Sequence, residues 1–387
     1  MKSANLILID PVNNHNRVYN MTDIGSGIIK VEMGRQGATL VEKKYPVSQW
    51  DNLYKKKINE GYVDRVKEFS LNSVRNSTYR PIDDDTINNF VEYLISCSRK
   101  FVKNEVSIDY NCVSEKMINE AQDIIGNLVK ETDLDEAIKK TERLFCVIHR
   151  KMKNVSENLP KSRLELSNIL LREQSLLDAI KTVKKTDAVE DDKKTILEIN
   201  NLEVREVSKE EEVNIKKHLT SESEGLYKRA FRVINKNTDD KFYQYMERQG
   251  MTDKNIHYYY HGSSDANYWG FITEGLSINP KAPVTGKMFG YGIYFAPRAR
   301  KSIGYTDLAG SYWRGGYSSK AYLAVFKVCY KNPKHTQTCR GFHGLTHLSD
   351  GKDATYAHKG AELYNDEVII YNESQCTIQY LIELEKR

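Results

Sequence analysis

The chain has 387 residues, of which 29% are charged, and its formal net charge is +5 at neutral pH. A chain of this length predicts two or three domains. No run of about eighteen apolar residues occurs, and residues 1–20 lack the basic, apolar and small-residue pattern of a secretory leader. These absences predict a soluble intracellular protein without a membrane partner.

The excess positive charge lies at the start of the chain. Residues 1–80 carry 13 Lys and Arg against 8 Asp and Glu, so they account for the whole net charge of +5. A basic segment attached to a neutral body suggests a polyanionic partner such as nucleic acid, and an ordinary solvated surface is the alternative. The cysteines are scattered without metal-ligand spacing, so we predict no bound metal: Cys97, Cys112, Cys146, Cys329, Cys339 and Cys376.

The first elements are short strands followed by one helix. The segments from Ile28 to Glu32 and from Ala38 to Lys44 have strand character and are bounded by glycines, and the segment from Val47 to Asn59 has the pattern of an amphipathic helix. Residues 1–80 are therefore predicted to form a small α/β module.

A helical bundle is expected next, in residues 84–182. Apolar residues recur there at helical spacing, and Ser162 with Glu165 forms a candidate capping box. The charged segment from Val183 to Lys194 favours a solvated linker. Residues 195–387 alternate in hydropathy near their end and predict a mainly β domain with few helices. The fold class is thus multidomain α+β.

Four short segments carry the most specific signal. They follow one another in fixed order: His261-Gly262-Ser263, Ala282 to Gly286, Phe289 to Ala296, and Lys301-Ser302 with Tyr305. In order and spacing they resemble the catalytic core of the poly(ADP-ribose) polymerase family. The segment from Asn365 to Tyr371 resembles the family strand that opens with the catalytic glutamate.

This resemblance implies an ADP-ribosyltransferase that consumes NAD+ as a substrate and needs no metal. Breaking the bond between nicotinamide and ribose develops positive charge on the sugar, which a fixed carboxylate can stabilise. The resemblance assigns that role to Glu367 and completes the catalytic set with His261 and Tyr294. Taken singly, each of these residues has an ordinary structural explanation, such as a turn histidine or an exposed glutamate.

The resemblance also implies a set of residues that bind NAD+. Backbone groups of Gly262 and the hydroxyl of Ser302 would pair with the nicotinamide carboxamide, and Tyr305 would stack on its ring. Ser263 and Asn267 belong to the same expected set. The Gly-x-Gly within Phe289 to Ile293 does not predict a dinucleotide-binding fold, because no strand, turn and helix unit surrounds it.

The remaining regions also resemble parts of this family. Residues 1–80 are similar to its WGR domain, residues 84–182 to its helical regulatory domain, and residues 195–387 to its catalytic domain. DNA with strand breaks is therefore an expected partner. The expected DNA contacts are Arg35, Lys43 and Lys44, although Met33 stands where the WGR tryptophan is usual.

Three departures from the family pattern bear on activity. Ser277 and Tyr291 replace a usual arginine and lysine, and Asp366 separates Asn365 from Glu367. The leading expectation is a transferase that strand breaks stimulate and that modifies protein side chains, including its own, in the nucleus. The alternatives are a DNA-independent mono-ADP-ribosyltransferase and a catalytically weak DNA-end-binding relative. A cytoplasmic location is expected if the protein is viral or acts without DNA.

Overall fold

A computed structural model describes residues 2–65, 77–219, 221–278, 288–312, 314–342 and 344–386. The chain divides into two compact units. The first unit contains residues 2–65 and 100–188, and the second contains residues 77–99 together with the described residues from 189 onwards. The Ala282 to Gly286 motif lies outside the described residues. The three expected domains stay a prediction.

The first unit begins with an antiparallel sheet and a helix. The strands are β1 (Ser3–Asp10), β2 (His15–Asp23), β3 (Ile28–Arg35), β4 (Val41–Pro46) and β5 (Val63–Asp64), in the order β4-β3-β2-β1-β5, and helix α1 spans Trp50–Asn59. Leu6, Met21, Val31 and Trp50 are buried together in its core. The strands and helix predicted for this region are confirmed, except that β4 begins at Val41 rather than Ala38 and a 3-10 turn replaces the first helical residues.

Four helices dominate the next part of the chain: α2 (Asp85–Glu105), α3 (Glu115–Lys130), α4 (Leu134–Val147) and α5 (Arg163–Asp187). Residues 85–99 of α2 belong to the second unit and the rest of these helices to the first. The apolar residues predicted to form one stripe of α3 are all buried. The predicted capping box is present in part: the Ser162 side chain accepts a hydrogen bond from the Glu165 amide, whereas the Glu165 carboxylate accepts from the amide of Lys161.

The predicted linker from Val183 to Lys194 is wrong. Helix α5 continues to Asp187, and Glu190–Thr195 forms strand β7, which pairs in parallel with β6 (Thr78–Arg80). A strand of charged residues is stable here because backbone hydrogen bonds, rather than apolar side chains, hold it to its neighbour.

The second unit contains two larger sheets. One has the order β10-β12-β16-β9-β8 and consists of β8 (Leu202–Glu206), β9 (Tyr227–Asn235), β10 (Ile256–His261), β12 (Lys320–Cys329) and β16 (Cys376–Glu385). The other has the order β11-β15-β14-β13 and consists of β11 (Ile293–Phe295), β13 (Pro333–Thr336), β14 (Ala354–Ala357) and β15 (Glu367–Ile370).

Helices are more abundant in this unit than the sequence predicted, and the region is mixed α/β rather than mainly β. They are α6 (Ile196–Ile199), α7 (Lys209–His218), α8 (Ser221–Glu224), α9 (Lys236–Arg248), α10 (Asp265–Glu274) and α11 (Ala299–Ile303). Phe231, Tyr268, Trp269 and Phe326 are buried in the core. Across the described ranges of the chain, no helix is both long and apolar enough to cross a bilayer.

Candidate functional site

The candidate site lies where the two larger sheets of the second unit meet. Tyr260 and Ala296 exchange two backbone hydrogen bonds of 2.9 Å, which join the end of β10 to the end of β11. His261 is the last residue of β10, Tyr294 lies in β11, and Glu367 opens β15, which pairs with β11. The topology therefore brings together three residues that are far apart in the sequence.

His261 is held in one orientation. Its Nδ1 atom lies 3.0 Å from the carbonyl oxygen of Tyr294. A carbonyl can only accept, so Nδ1 carries a proton, and burial lowers the pKa of the ring, which favours its neutral form. In that tautomer Nε2 is an acceptor. Three aromatic rings contact the imidazole edge to face: Phe271, Phe295 and Phe326.

The turn after His261 is packed directly against α11. A Cβ atom on Gly262 would overlap the carbonyl oxygen of Ser302, so only glycine fits there. The buried hydroxyl of Ser302 donates a 3.1 Å hydrogen bond to the carbonyl of Tyr260, which leaves its oxygen able to accept. Tyr305 follows α11 and remains 42% exposed, so part of its ring is open to a ligand.

Helix α10 fixes the other side of this turn. The amide of Ser263 donates to the hydroxyl of Tyr268 at 3.1 Å, and the Asn267 side chain donates to the Ser263 hydroxyl at 2.9 Å. Ser264 caps the helix. Asn267 therefore supports the turn through its hydrogen bond to Ser263.

Tyr294 organises the segment that precedes it. Its hydroxyl accepts from the amide of Phe289 and donates to the carbonyl of Gly290, both at 2.9 Å. Tyr371 donates to the carbonyl of Phe289 at 2.6 Å. Gly290 has a φ of +88°, a conformation that disfavours other residues. The phenol thus holds this turn in shape.

Glu367 combines burial, a charged neighbour and an unused oxygen. It is only 7% exposed and forms an ion pair with Lys301 of α11. Its Oε2 atom is buried and has no hydrogen-bond partner among the described residues. Burial lowers the pKa of Lys301 to about 8. Sequence reasoning did not single out Lys301, although it is the first residue of the Lys301-Ser302 motif.

Comparison with known proteins identifies this region. Residues 203–311 match the family described as the poly(ADP-ribose) polymerase catalytic domain. In this region the chain is similar to a poly(ADP-ribose) polymerase catalytic domain. It is an NAD+ ADP-ribosyltransferase, and NAD+ is the substrate of such a domain. The matched range includes His261, Tyr294 and Tyr305, and Glu367 lies beyond it.

Relatives of this polymerase-type domain occur in a virus and in a plant. Over 196 residues the chain is 29% identical to the uncharacterized protein 101L of Invertebrate iridescent virus 6, which covers 49% of this chain and 79% of that protein. The poly(ADP-ribose) polymerase-like protein 100L of the same virus is 27% identical over 188 residues, covering 46% and 98%. Poly(ADP-ribose) polymerase 1 of Oryza sativa subsp. japonica is 32% identical over 146 residues, covering 32% of this chain and only 15% of that enzyme.

The positions that depart from the poly(ADP-ribose) polymerase pattern are accounted for in different ways. Asp366 accepts a 2.7 Å hydrogen bond from the amide of Lys359 and a 3.4 Å bond from the Tyr356 hydroxyl, so its carboxylate is bound to β14 and to the segment that follows it. The amide of Tyr291 donates to the carbonyl of Leu345 at 2.6 Å. Ser277 is exposed.

The residues expected to contact DNA lie in the first unit. Arg35 donates from Nε to the carbonyl of Met152 at 3.1 Å and also contacts the carbonyl of Lys153, so its guanidinium is occupied within this unit. Lys43 and Lys44 are exposed on β4 and, as consecutive strand residues, lie on opposite faces. Glu42 lies 3.8 Å from Lys44 and offsets part of this charge.

No metal site is evident where the chain is described. In those ranges, no group of three or more His, Cys, Asp and Glu side chains has an arrangement that could hold a metal ion.

Proposed function

We propose that the second unit transfers ADP-ribose from NAD+ to protein side chains and releases nicotinamide, with Glu367, His261 and Tyr294 at its catalytic centre. The observation that carries this proposal is the buried Oε2 atom of Glu367, which lacks a partner among the described residues. A buried carboxylate oxygen without a hydrogen bond is costly unless a ligand satisfies it. A ribose hydroxyl is a donor of the required kind.

In this reaction the bond between the anomeric carbon and the nicotinamide nitrogen breaks, and its electrons leave with nicotinamide. Positive charge then develops on the ribose, and the oxygen of an acceptor side chain forms the new bond to the anomeric carbon while losing its proton. Ionised Glu367 would accept a hydrogen bond from the ribose 2′-hydroxyl, stabilise the cationic sugar and polarise the acceptor hydroxyl.

The positive charge of Lys301 supports an ionised Glu367 before substrate binds. An opposite charge favours the ionised form of a buried carboxyl group, and here it is supplied by the adjacent helix α11. Lys301 is thereby a candidate for the group that keeps Glu367 ionised at neutral pH.

The other proposed contacts orient NAD+. His261 would accept a hydrogen bond from a ribose hydroxyl through Nε2, since Nδ1 is bonded to Tyr294. Backbone groups of Gly262 and the hydroxyl of Ser302 would pair with the carboxamide, with Ser263 and Asn267 supporting the turn. Tyr305 would stack on the nicotinamide ring, which is worth about 1 kcal/mol beyond burial.

We infer that residues 1–80 form a WGR-like module, that residues 84–182 act as a helical regulatory domain, and that DNA strand breaks stimulate the enzyme in the nucleus. The basic charge of the first eighty residues supports a DNA partner. Within this proposal Lys43 and Lys44 neutralise phosphates, whereas Arg35 joins β3 to the segment after α4.

A DNA-independent mono-ADP-ribosyltransferase is the second candidate. The occupied guanidinium of Arg35 favours it, because that group is bound to the carbonyls of Met152 and Lys153. Met33 in place of tryptophan favours it as well, since a methionine offers no aromatic face to a DNA sugar.

Incorporation of labelled ADP-ribose from NAD+ tests these proposals. The full chain would be assayed with and without nicked DNA, beside Glu367→Gln and the matched control Glu247→Gln, which lies exposed on α9. We expect incorporation that nicked DNA increases, that Glu367→Gln abolishes and that Glu247→Gln leaves unchanged. Equal incorporation without DNA would favour the second candidate, and product length on a gel would distinguish single units from polymers. Absence of incorporation under both conditions would contradict the proposed catalytic role.

A further inference from the structure

A single carboxylate in the second unit connects the two segments that flank the proposed nicotinamide pocket. Oδ2 of Asp307 accepts a 3.0 Å hydrogen bond from the hydroxyl of Ser264 and a 2.8 Å bond from the amide of Asp265. Ser264 and Asp265 directly follow the His261-Gly262-Ser263 turn, and Asp307 lies two residues after Tyr305. The Asp307 side chain therefore links the segment that carries Tyr305 to the segment that follows the His261-Gly262-Ser263 turn.

The same two segments are also joined at their other ends. The Ser302 hydroxyl is bonded to the carbonyl of Tyr260, and Gly262 packs against the backbone of Ser302. Tyr305 lies in the sequence between this contact and Asp307. The Tyr305 segment is thus anchored on both sides, which limits how far its ring can move from the turn.

Arg314 closes the loop that follows. Its side chain pairs with Oδ1 of Asp307, and its backbone amide donates to the carbonyl of Gly304 at 3.2 Å. The two oxygens of Asp307 consequently have different partners. Oδ1 pairs with Arg314, and Oδ2 accepts from Ser264 and Asp265. Helix α10 already has its own cap in Ser264, so capping alone does not explain the carboxylate.

We propose that Asp307 is a positioning residue that sets the separation between Tyr305 and the His261-Gly262-Ser263 turn, and so the fit of the nicotinamide ring. This inference rests on the proposed function, because it takes Tyr305 and the turn as the walls of the nicotinamide pocket. Asp307 acts through Ser264 and Asp265 without touching the substrate.

Kinetics of nicotinamide release by the full chain test the role. We expect Asp307→Ala to raise the KM for NAD+ about tenfold and to change kcat less than about threefold, because a looser pocket weakens binding of the ring while Glu367 stays in place. Asp307→Asn combined with Arg314→Gln should restore KM to within about threefold of the wild type. The asparagine oxygen can accept from Ser264 and Asp265, and its amide can donate to the glutamine oxygen.

A matched variant separates positioning from a general loss of stability. Asp133 caps α4 in the first unit by accepting from the amide of Glu136 at 3.0 Å, so Asp133→Ala removes a comparable cap far from the pocket in sequence. Its KM should equal that of the wild type. Binding of nicotinamide itself, measured by calorimetry, should weaken in Asp307→Ala and not in Asp133→Ala.

Each contrary result has a distinct meaning. An unchanged KM in Asp307→Ala, an equal rise in Asp133→Ala, or a fall in kcat at constant KM would overturn the positioning role while leaving the transferase function intact. A wild-type chain that neither releases nicotinamide from NAD+ nor binds it would instead refute the assignment of this pocket, and the positioning role with it.

Discussion

Replacing Asp265 with asparagine would measure the cost of burying a charge beside the candidate site. The side chain is only 4% exposed. Its Oδ1 accepts from the amide of Tyr322 at 3.0 Å and its Oδ2 accepts from the hydroxyl of Tyr93 at 2.9 Å. Burial is the main reason that the pKa of Asp265 rises to about 6, and the carboxylate of Asp307 adds to the effect.

The sign of the effect follows from the raised pKa. Because the folded protein holds the proton more tightly than the unfolded chain, whose carboxyl has its ordinary pKa of 3.8, no stability is lost below about pH 4. As the pH rises through about 6, the folded state must ionise a buried group. The difference between the two pKa values corresponds to about 3 kcal/mol of lost stability at neutral pH.

Asparagine removes this cost while preserving the hydrogen bonds. Its oxygen can accept from Tyr322, and its amide can donate to the hydroxyl of Tyr93. We expect Asp265→Asn to stabilise the second unit by up to about 3 kcal/mol at pH 8 and to have almost no effect at pH 4. Asp265→Ala should destabilise the unit at pH 4, because the Tyr322 amide loses its partner, and should be less harmful at pH 8, where the cost of the buried charge is removed as well.

Urea unfolding followed by hydrogen exchange of the β12 amides would measure the free energy of unfolding of the second unit by itself, at intervals from pH 4 to pH 8. The exposed Asp240 of α9 provides the control, and Asp240→Asn should show no comparable dependence on pH. The reasoning is refuted if Asp265→Asn is less stable than the wild type at pH 8, or if its advantage is the same at pH 4.

Three further predictions concern other residues. Burial lowers the pKa of Lys301 to about 8, so the rate of nicotinamide release should decline above about pH 8 as the lysine loses its charge. The Lys301→Arg variant should keep its activity to about pH 9.5, because a guanidinium group stays protonated there. Gly262→Ala should reduce kcat/KM at least a hundredfold, roughly the effect of displacing a catalytic turn, because the new methyl group would displace Ser302. Arg35→Ala should lower the free energy of unfolding of the first unit by about 1 to 3 kcal/mol, measured by thermal unfolding, because the carbonyl of Met152 loses its donor.

These predictions have matched controls in the same chain. A Cβ atom on Gly225 would have no described heavy atom within 4 Å, so Gly225→Ala should retain full activity. Lys43 is exposed, so Lys43→Ala should change the stability of the first unit by no more than about 0.5 kcal/mol. A decline above pH 8 that persists in Lys301→Arg, an active Gly262→Ala, or an Arg35→Ala variant as stable as Lys43→Ala would contradict the respective argument.

Elements stabilised by local patterns could be predicted from the sequence, whereas those that depend on distant backbone could not. The stripe of α3 was predictable because helical spacing places residues such as Met117 and Leu128 on one face. Strand β7 was missed because its side chains are charged and its stability comes from pairing with β6, more than a hundred residues earlier in the chain.

The candidate site divides in the same way. Motif order was sufficient to nominate His261, Tyr294 and Glu367, and the structure places them on neighbouring strands. The pairing of Lys301 with Glu367 could not be predicted, because it depends on how α11 packs beside β15. The bonds of Arg35 to Met152 and Lys153 were hidden for the same reason, since they join segments more than a hundred residues apart.

The Tyr260–Ala296 bridge joins the two sheets at the candidate site. His261 and Glu367 therefore keep their relative positions only while this contact between the sheets is intact. A ligand that contacts both His261 and Glu367 would stabilise the contact between the two sheets. Binding should therefore raise the melting temperature of the second unit, and above the dissociation constant the rise should follow the logarithm of the ligand concentration. Conversely, local separation of the two sheets at this contact would abolish activity under conditions in which the rest of the chain is still folded.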